Sequence, residues 1–346
     1  MSESKPGEEG VVAQFPAILV DYLESIGTVL LRMPLEVTEK FYFLYLITFI
    51  GLAYFSYRRF HKHRTRRNFW QFLFPSRIYL ARSARVDYAV FLINILLSPL
   101  LLMGAGLQAW IATQIAAGLV GINSDQAVVV GDWGFVTYAF FILGYTLIAD
   151  FSVYLIHRFH HANSVFWPLH ALHHSAQVMT PVTLFRKHPL WNVLSNLLNA
   201  VMTGLFQGVF VFVFFGNPGV EILFGLNILY VMYNFAGANL RHSHVWLSWG
   251  RPLSYLFISP AMHQIHHDPS RMRKNYGEMF AIWDWMFGSL YIPSNYEQFE
   301  IGLGEENNPH DTVVRAFTVP VIDSAKALFD KAQRLKRKIE MHRRAS

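Results

Sequence analysis

Apolar residues in this chain fall in long unbroken runs, not in the alternating pattern of half-buried strands. The first run, Phe41–Phe55, carries no charge. It reaches crossing length, about 20 residues, once Lys40 and Ser56-Tyr57 lie at the interfaces. A basic run follows: Arg58, Arg59, Lys62, Arg64, Arg66 and Arg67. The positive-inside rule sets that segment in the cytoplasm.

A second stretch runs from Tyr88 to about Val120, interrupted by Pro99, Gly104 and Gly106. It is longer than one span needs, which predicts a tilted or kinked crossing plus an interfacial piece. Gly121–Trp133 contains Asp125 and Asp132 but no Lys or Arg, and is expected outside. The third span, Gly134–Ile156, returns to the cytoplasm and ends directly in histidines. The fourth and fifth, about Leu190–Phe215 and Val220–Ala238, are joined by Gly216-Asn217-Pro218-Gly219, a tight hairpin. The expected fold class is all-α: a polytopic membrane helix bundle of about five spans with a cytoplasmic histidine-rich helical cap. Every histidine-rich segment and the C-terminus then share the cytoplasmic side.

Composition sharpens this picture. Hydrophobic residues make up 53% and charged residues 15%, against roughly 45–50% and about 25% in soluble domains. The formal charge of +6 arises beside apolar spans, so attraction to anionic lipid headgroups, not nucleic acid, is the expected consequence. Met1–Gly10 is polar and acidic, and no cleavable leader is expected there. With no cysteine in the chain, thiolate metal sites are excluded, and 16 histidines are the abundant nitrogen ligands.

Those histidines are clustered. His157-Arg158-Phe159-His160-His161 holds a pair four apart. His170-Ala171-Leu172-His173-His174 and His263-Gln264-Ile265-His266-His267 each place histidines at i, i+3 and i+4, and His242-Ser243-His244 follows the fifth apolar run. On a helix, residues three and four apart share a face with Cβ atoms about 5–6 Å apart. Two imidazoles so spaced converge on one ion, and a triple can serve two ions side by side. Imidazole suits iron, zinc, copper and nickel. A lone HxxxH is ordinarily a polar cap, but three boxes packed together without metal would leave buried donors and acceptors unpaired. Metal binding is therefore expected.

Asp150 lies seven residues before His157 inside an apolar run. An ionisable group there marks a functional site by default. It either accepts the free N–H of a ligand histidine, fixing the ring, or makes a structural hydrogen bond within the bundle. Asp284 is a similar candidate, and Glu278 a weaker one.

From Asp150 to about Pro293 the sequence resembles the fatty acid hydroxylase superfamily, the membrane di-iron proteins that include sterol desaturases and alkylglycerol monooxygenase. The resemblance is carried by Asp150-x3-Tyr154-x2-His157-Arg158-x2-His161 and His170-x2-His173-His174. It continues in Arg186-Lys187-His188-Pro189, His242-Ser243, His263-x2-His266-His267, Asn275-Tyr276-Gly277 and Trp283-Asp284-x2-Phe287-Gly288. It implies two iron ions with His157, His161, His170, His173, His174, His242, His263, His266 and His267 as ligands. His160 is left out because it points about 100° away from His161. His244 could replace or join His242, and His188 is expected to line the pocket or bond a ligand. His310 and His342 are expected at the surface.

What the resemblance implies further is an oxidoreductase that hydroxylates or desaturates a lipid C–H bond, with O2 as co-substrate. The lipid is a fatty acyl lipid or a sterol-like molecule. The electron donor is separate, of cytochrome b5, ferredoxin or flavin-reductase type. The rival readings are a polyhistidine metal transporter or a metal-stabilised scaffold. The regions follow: 1–133 an N-terminal membrane region with spans near 41–57 and 88–120 and a basic loop 58–86; 134–293 the catalytic domain; 294–346 a tail. In that tail Asp323–Arg344 reads as a basic amphipathic helix, on the membrane surface or solvated. A bacterial inner membrane is expected in preference to the endoplasmic reticulum.

Overall fold

The computed structural model describes residues 20, 22, 24, 26–37, 39–61, 67–98, 103–122, 134–215, 227–304 and 308–345. Among them no strand occurs, only an isolated bridge between Phe257 and Phe280. The principal helices are α1 Phe43–Ser56, α2 Arg82–Leu96, α3 Met103–Ile122, α4 Phe135–Ala162, α5 Trp167–His174, α6 Pro189–Phe215, α7 Ile228–Phe235, α8 Pro260–His266, α9 Ile282–Met286 and α10 Val313–Ala345.

Two of these, α4 and α6, are long and apolar enough to cross a membrane. The other expected spans differ. α1 has 14 residues, about 21 Å at 1.5 Å per residue, against a hydrocarbon core of about 30 Å, and a π-helical segment, Tyr57–His61, continues it directly. The 88–120 stretch divides into α2 and α3, and the residues around Pro99 lie outside the described residues. Of the fifth expected span, Val220–Ala238, residues 220–226 lie outside the described residues, and the remainder holds the eight-residue α7. Residues 62–66 of the basic run after α1, most of the Gly121–Trp133 turn and the Gly216–Gly219 hairpin also lie outside them.

Glycine decides how α6 meets α3. A Cβ on Gly204 would stand 2.9 Å from the carbonyl oxygen of Gln108, and one on Gly208 2.7 Å from that of Ala112. Gly204-x3-Gly208 thus lets two backbones touch, the small-residue contact that apolar helices use in lipid. Gln108 adds a polar tie, donating to Gln207 Oε1 at 3.0 Å and to the Tyr145 hydroxyl at 3.2 Å.

At the end of α4 the chain turns at Asn163, whose side chain accepts from the Val165 amide. Pro168 opens α5 in its first turn, where its missing N–H is no loss. α5 is clamped by a wholly buried pair, Arg186 and Asp87, at 2.7 Å. Arg186 also donates to the carbonyls of Leu172 and His310 and to Ser175 Oγ, and Thr183 donates to Asp87 Oδ2 at 2.6 Å. That network joins α2, α5 and the lead-in to α10. The first turns of α10 pack Ala316 and Phe317 on Val86, Val90 and Leu172, while residues 325–343 of α10, Ala327 apart, are exposed.

Candidate metal centre

Nine histidines gather into two adjoining groups. His157, His161, His170, His174 and His266 form one, and His173, His242, His263 and His267 the other; within each, one nitrogen per residue lies within 4.8 Å of all the rest. All are buried except His161, which is partly so. The partition follows helix geometry. The i and i+4 members of each box stay together: His157 with His161, His170 with His174, His263 with His267. In both HxxHH boxes the i+3 histidine crosses over, His173 to the second group and His266 to the first. The two groups are thereby interlocked, and the His174 and His267 rings stack across the divide at 4.5 Å.

Close pairs of Nε2 atoms face each other: His157 and His266 at 2.9 Å, His170 and His174 at 3.1 Å, His173 and His242 at 3.0 Å, His242 and His263 at 2.9 Å. The first pair tests whether a cation fits. Nδ1 of His157 lies 2.7 Å from the Tyr276 carbonyl, and Nδ1 of His266 lies 2.7 Å from that of Lys274. A carbonyl only accepts, so both Nδ1 atoms carry the proton and both Nε2 atoms are bare lone pairs. Two lone pairs 2.9 Å apart repel. Burial pushes the His266 imidazole down to about 4, so a shared proton is no remedy at neutral pH. A metal ion between them is. Donors within 4.8 Å of one another suit a single ion, since opposite donors at bonds of about 2.0–2.1 Å stand about 4 Å apart. The all-imidazole donor set fits iron, zinc, copper or nickel.

The ring-orienting carbonyls belong to a loop braced by two carboxylates. Asp284, fully buried, accepts from the amides of Tyr276 at 2.9 Å and Gly277 at 2.7 Å and from Ser289 Oγ at 2.6 Å. A Cβ on Gly277 would meet the Phe280 carbonyl oxygen at 2.5 Å, so no other residue fits that turn unmoved. Asn275 at φ 57° donates to the carbonyls of Met262 and Tyr291 and accepts from the Tyr291 amide.

Asp150 accepts from the amides of Met279 at 2.7 Å and Phe280 at 3.1 Å and from Trp283 Nε1 at 2.9 Å. Of its two expected roles the structure therefore shows the bundle hydrogen bond: Asp150 holds the loop, and no ligand ring. Asp284 likewise acts one step removed, through the Tyr276 carbonyl.

The expectations for His244, His188, His310 and Glu278 need correction. His244 is turned away from both groups, its Nε2 on the Phe72 carbonyl at 2.8 Å. Both nitrogens of His188 are engaged, one by the Leu190 amide and one by the Phe317 carbonyl. His160 lies in neither group; its ring sits 4.2 Å from Trp191. His310, expected at the surface, is 3% exposed, because its carbonyl accepts from the buried Arg186. His342 is exposed. Glu278 pairs with Arg241 at 2.8 Å. Gln264, between two of the histidines, has a role that no sequence motif announces. Its amide reaches the carbonyls of Leu240, Ser243 and Val245 at 2.8–3.1 Å, tying α8 to the turn that carries His242.

A cavity of about 50 Å3 opens on five of the nine histidines and is walled by Val153, Leu184 and Trp191. A wider groove of about 840 Å3 beside Trp246 and Phe299 contains none of the nine.

This is a helical protein with two membrane-length apolar helices and two interlocked all-histidine groups that could each hold a metal ion. Residues 142–289 match the Fatty acid hydroxylase family, and the relatives that the chain resembles support a place in the superfamily of fatty acid hydroxylases and sterol desaturases. It is 29% identical to an ornithine lipid hydroxylase of Rhizobium tropici, over 45% of this chain and 44% of that protein. Against a very-long-chain aldehyde decarbonylase of Oryza sativa subsp. indica the identity is 26%, over 58% of this chain and 74% of the relative. Against the alkylglycerol monooxygenase of Caenorhabditis elegans it is 26%, over 49% and 30%. The chain thus spans less than half of the first and third of these relatives. No solved structure matches it.

Proposed function

We propose that the chain hydroxylates or desaturates a C–H bond of a fatty acyl lipid or sterol-like molecule, using O2 and electrons from a separate donor. His157, His161, His170, His174 and His266 would hold one iron, and His173, His242, His263 and His267 the other. Iron so held supplies the activation of O2 needed to attack an unactivated carbon.

The chain's own residues do the rest. Burial of eight of the nine, with His161 partly buried, keeps the site away from water, which suppresses side reactions. The Tyr276 and Lys274 carbonyls fix two rings with their Nε2 atoms inward, and such partners also raise ligand basicity. Val153 and Trp191, at the roots of α4 and α6, give an apolar approach from the membrane side. In this reading all four histidine clusters and the C-terminus face the cytoplasm, beneath about five spans. The donor is of cytochrome b5, ferredoxin or flavin-reductase type.

The single observation that carries the proposal is the interlocked pair of all-histidine groups. Transport sites usually lie near the midplane between broken helices. Here the groups form around the terminal turns of α4, so a transport reading is disfavoured. The test joins metal analysis of purified protein with lipid mass spectrometry, with and without O2 and reductant. The expected result is two nitrogen-ligated ions per chain and an O2-dependent mass change of one added oxygen or two lost hydrogens. One ion per chain, mainly oxygen ligation, or product formed without O2 would overturn it.

A further inference from the structure

The cavity beside the histidines has a second set of polar walls that metal binding does not use: Lys187, Arg241 and Glu278. Arg241 is matched, its NH2 on Glu278 Oε1 at 2.8 Å and its NH1 on the Glu278 carbonyl at 3.2 Å. Lys40, on the far side of that carboxylate, donates to Asn234 Oδ1 at 3.1 Å and lies 4.1 Å over the Tyr230 ring.

Lys187 is different. Its backbone is pinned on both sides, the amide donating to the Phe185 carbonyl at 2.7 Å and the carbonyl accepting from Asn94 Nδ2 at 2.9 Å. Its ammonium, on the cavity wall, makes no hydrogen bond or ion pair to a described residue. In Arg186-Lys187-His188 the two neighbours point elsewhere, to Asp87 and to Phe317; only Lys187 lines the cavity. Of the residues lining the cavity, two cations, Lys187 and Arg241, face one carboxylate, Glu278, leaving an excess of one positive charge (2 − 1) beside histidines that burial keeps neutral. Burial pushes the Lys187 ammonium down, and Glu278 opposes that shift. A partly buried cation with no hydrogen-bonded partner gains from an anion brought to it.

We propose that Lys187 docks an anionic oxygen, carboxylate or phosphate, of the lipid substrate itself. This rests on the oxygenase reading above and narrows its substrate to an acidic lipid. The cavity's 50 Å3 holds about one or two waters, room for an acidic group but not for an acyl tail. The tail then leaves along Val153, Leu184 and Trp191, and the carbon presented to the histidines lies close in the chain to the acidic group.

The test uses the full chain in lipid nanodiscs, loaded with zinc so that binding is read without turnover. Spin-labelled stearic acid is titrated against its methyl ester, which has the same tail and no charge. The acid is expected to bind at least ten-fold tighter. Lys187→Met and Lys187→Gln should bring the acid to the ester's level and leave ester affinity unchanged, while Lys187→Arg keeps most of the preference. Equal binding of acid and ester by the unmodified protein, a comparison that needs no variant, would overturn the proposal. So would an acid preference that survives Lys187→Met. Sodium acetate or inorganic phosphate displacing the acid at concentrations matching its own Kd would reassign the site to free anions. An intact acid preference without any O2-dependent product would sink the oxygenase reading and not the anion site. Product without acid preference would sink this inference alone.

Discussion

Asp284→Asn separates bracing of the metal centre from ligation, because it leaves all nine histidines in place. The carboxylate accepts three hydrogen bonds in a wholly buried setting, from Tyr276, Gly277 and Ser289. An amide has one acceptor oxygen, so its NH2 must face at least one of the two backbone N–H groups, donor against donor. Losing a hydrogen bond to a charged acceptor costs roughly 1.5–3 kcal/mol, and a buried donor left unpaired about 1–3 kcal/mol. A loss of about 2–4 kcal/mol follows. The loop is held elsewhere by Asn275 and Asp150, so it is expected to shift and not to detach. The Tyr276 carbonyl moves with it, and with that carbonyl goes the 2.7 Å bond that aims His157. Losing such a partner typically costs about 10–100-fold in metal affinity.

The assay is zinc titration of purified protein against a chelator of known affinity. One of two ions, the one bound by the His157 group, should weaken about 10–100-fold while the other keeps its affinity. The metal-free variant should also melt earlier. Two unchanged zinc affinities beside a lowered Tm would refute the coupling and leave Asp284 a brace of the loop alone.

His174→Ala and His266→Ala should lose metal and activity, while His160→Ala and the exposed His342→Ala keep full metal content; equal losses at all four would refute the partition. Gly208→Val puts carbon within 2.7 Å of the Ala112 carbonyl, overpacking expected to cost about 1–3 kcal/mol. Denaturant titration in detergent checks it, and an unchanged midpoint would mean that α3 and α6 do not touch. Burial first, then neighbouring imidazoles, holds His173, His174 and His267 well below the usual 6.5, and burial holds His266 at about 4. The native state thus binds fewer protons than the unfolded chain below pH 6.5, so metal-free protein should lose stability steadily as pH falls from about 6.5 toward about 4. Zinc-loaded protein should hold its Tm further down that range, since bound metal competes with protons; a flat metal-free profile would refute the argument.

What the sequence discloses and what it hides divide along a physical line. Local periodicity is written in the chain. The apolar runs that became α4 and α6 could be read, and so could the histidine stripes, because i and i+4 share a face whatever the rest of the protein does. Partners far apart in sequence are not written there. Asp150 inside an apolar run announced a buried charge, but nothing local says that Met279 and Phe280, about 130 residues on, supply its donors. Asp87 meets Arg186 across 99 residues, and His310, in a polar stretch that reads as surface, is drawn inside by that same guanidinium.

The least legible parts are the backbone carbonyls of Tyr276 and Lys274, which set the tautomers of His157 and His266. Any residue can supply a carbonyl, so no side chain at either position announces the role. What the sequence does record is the means of holding those carbonyls still: a glycine where a Cβ would strike Phe280, an asparagine at positive φ, and the carboxylate of Asp284 gathering the amides between. The Asn-Tyr-Gly and Trp-Asp elements are therefore explained by two hydrogen bonds in which none of their side chains takes part.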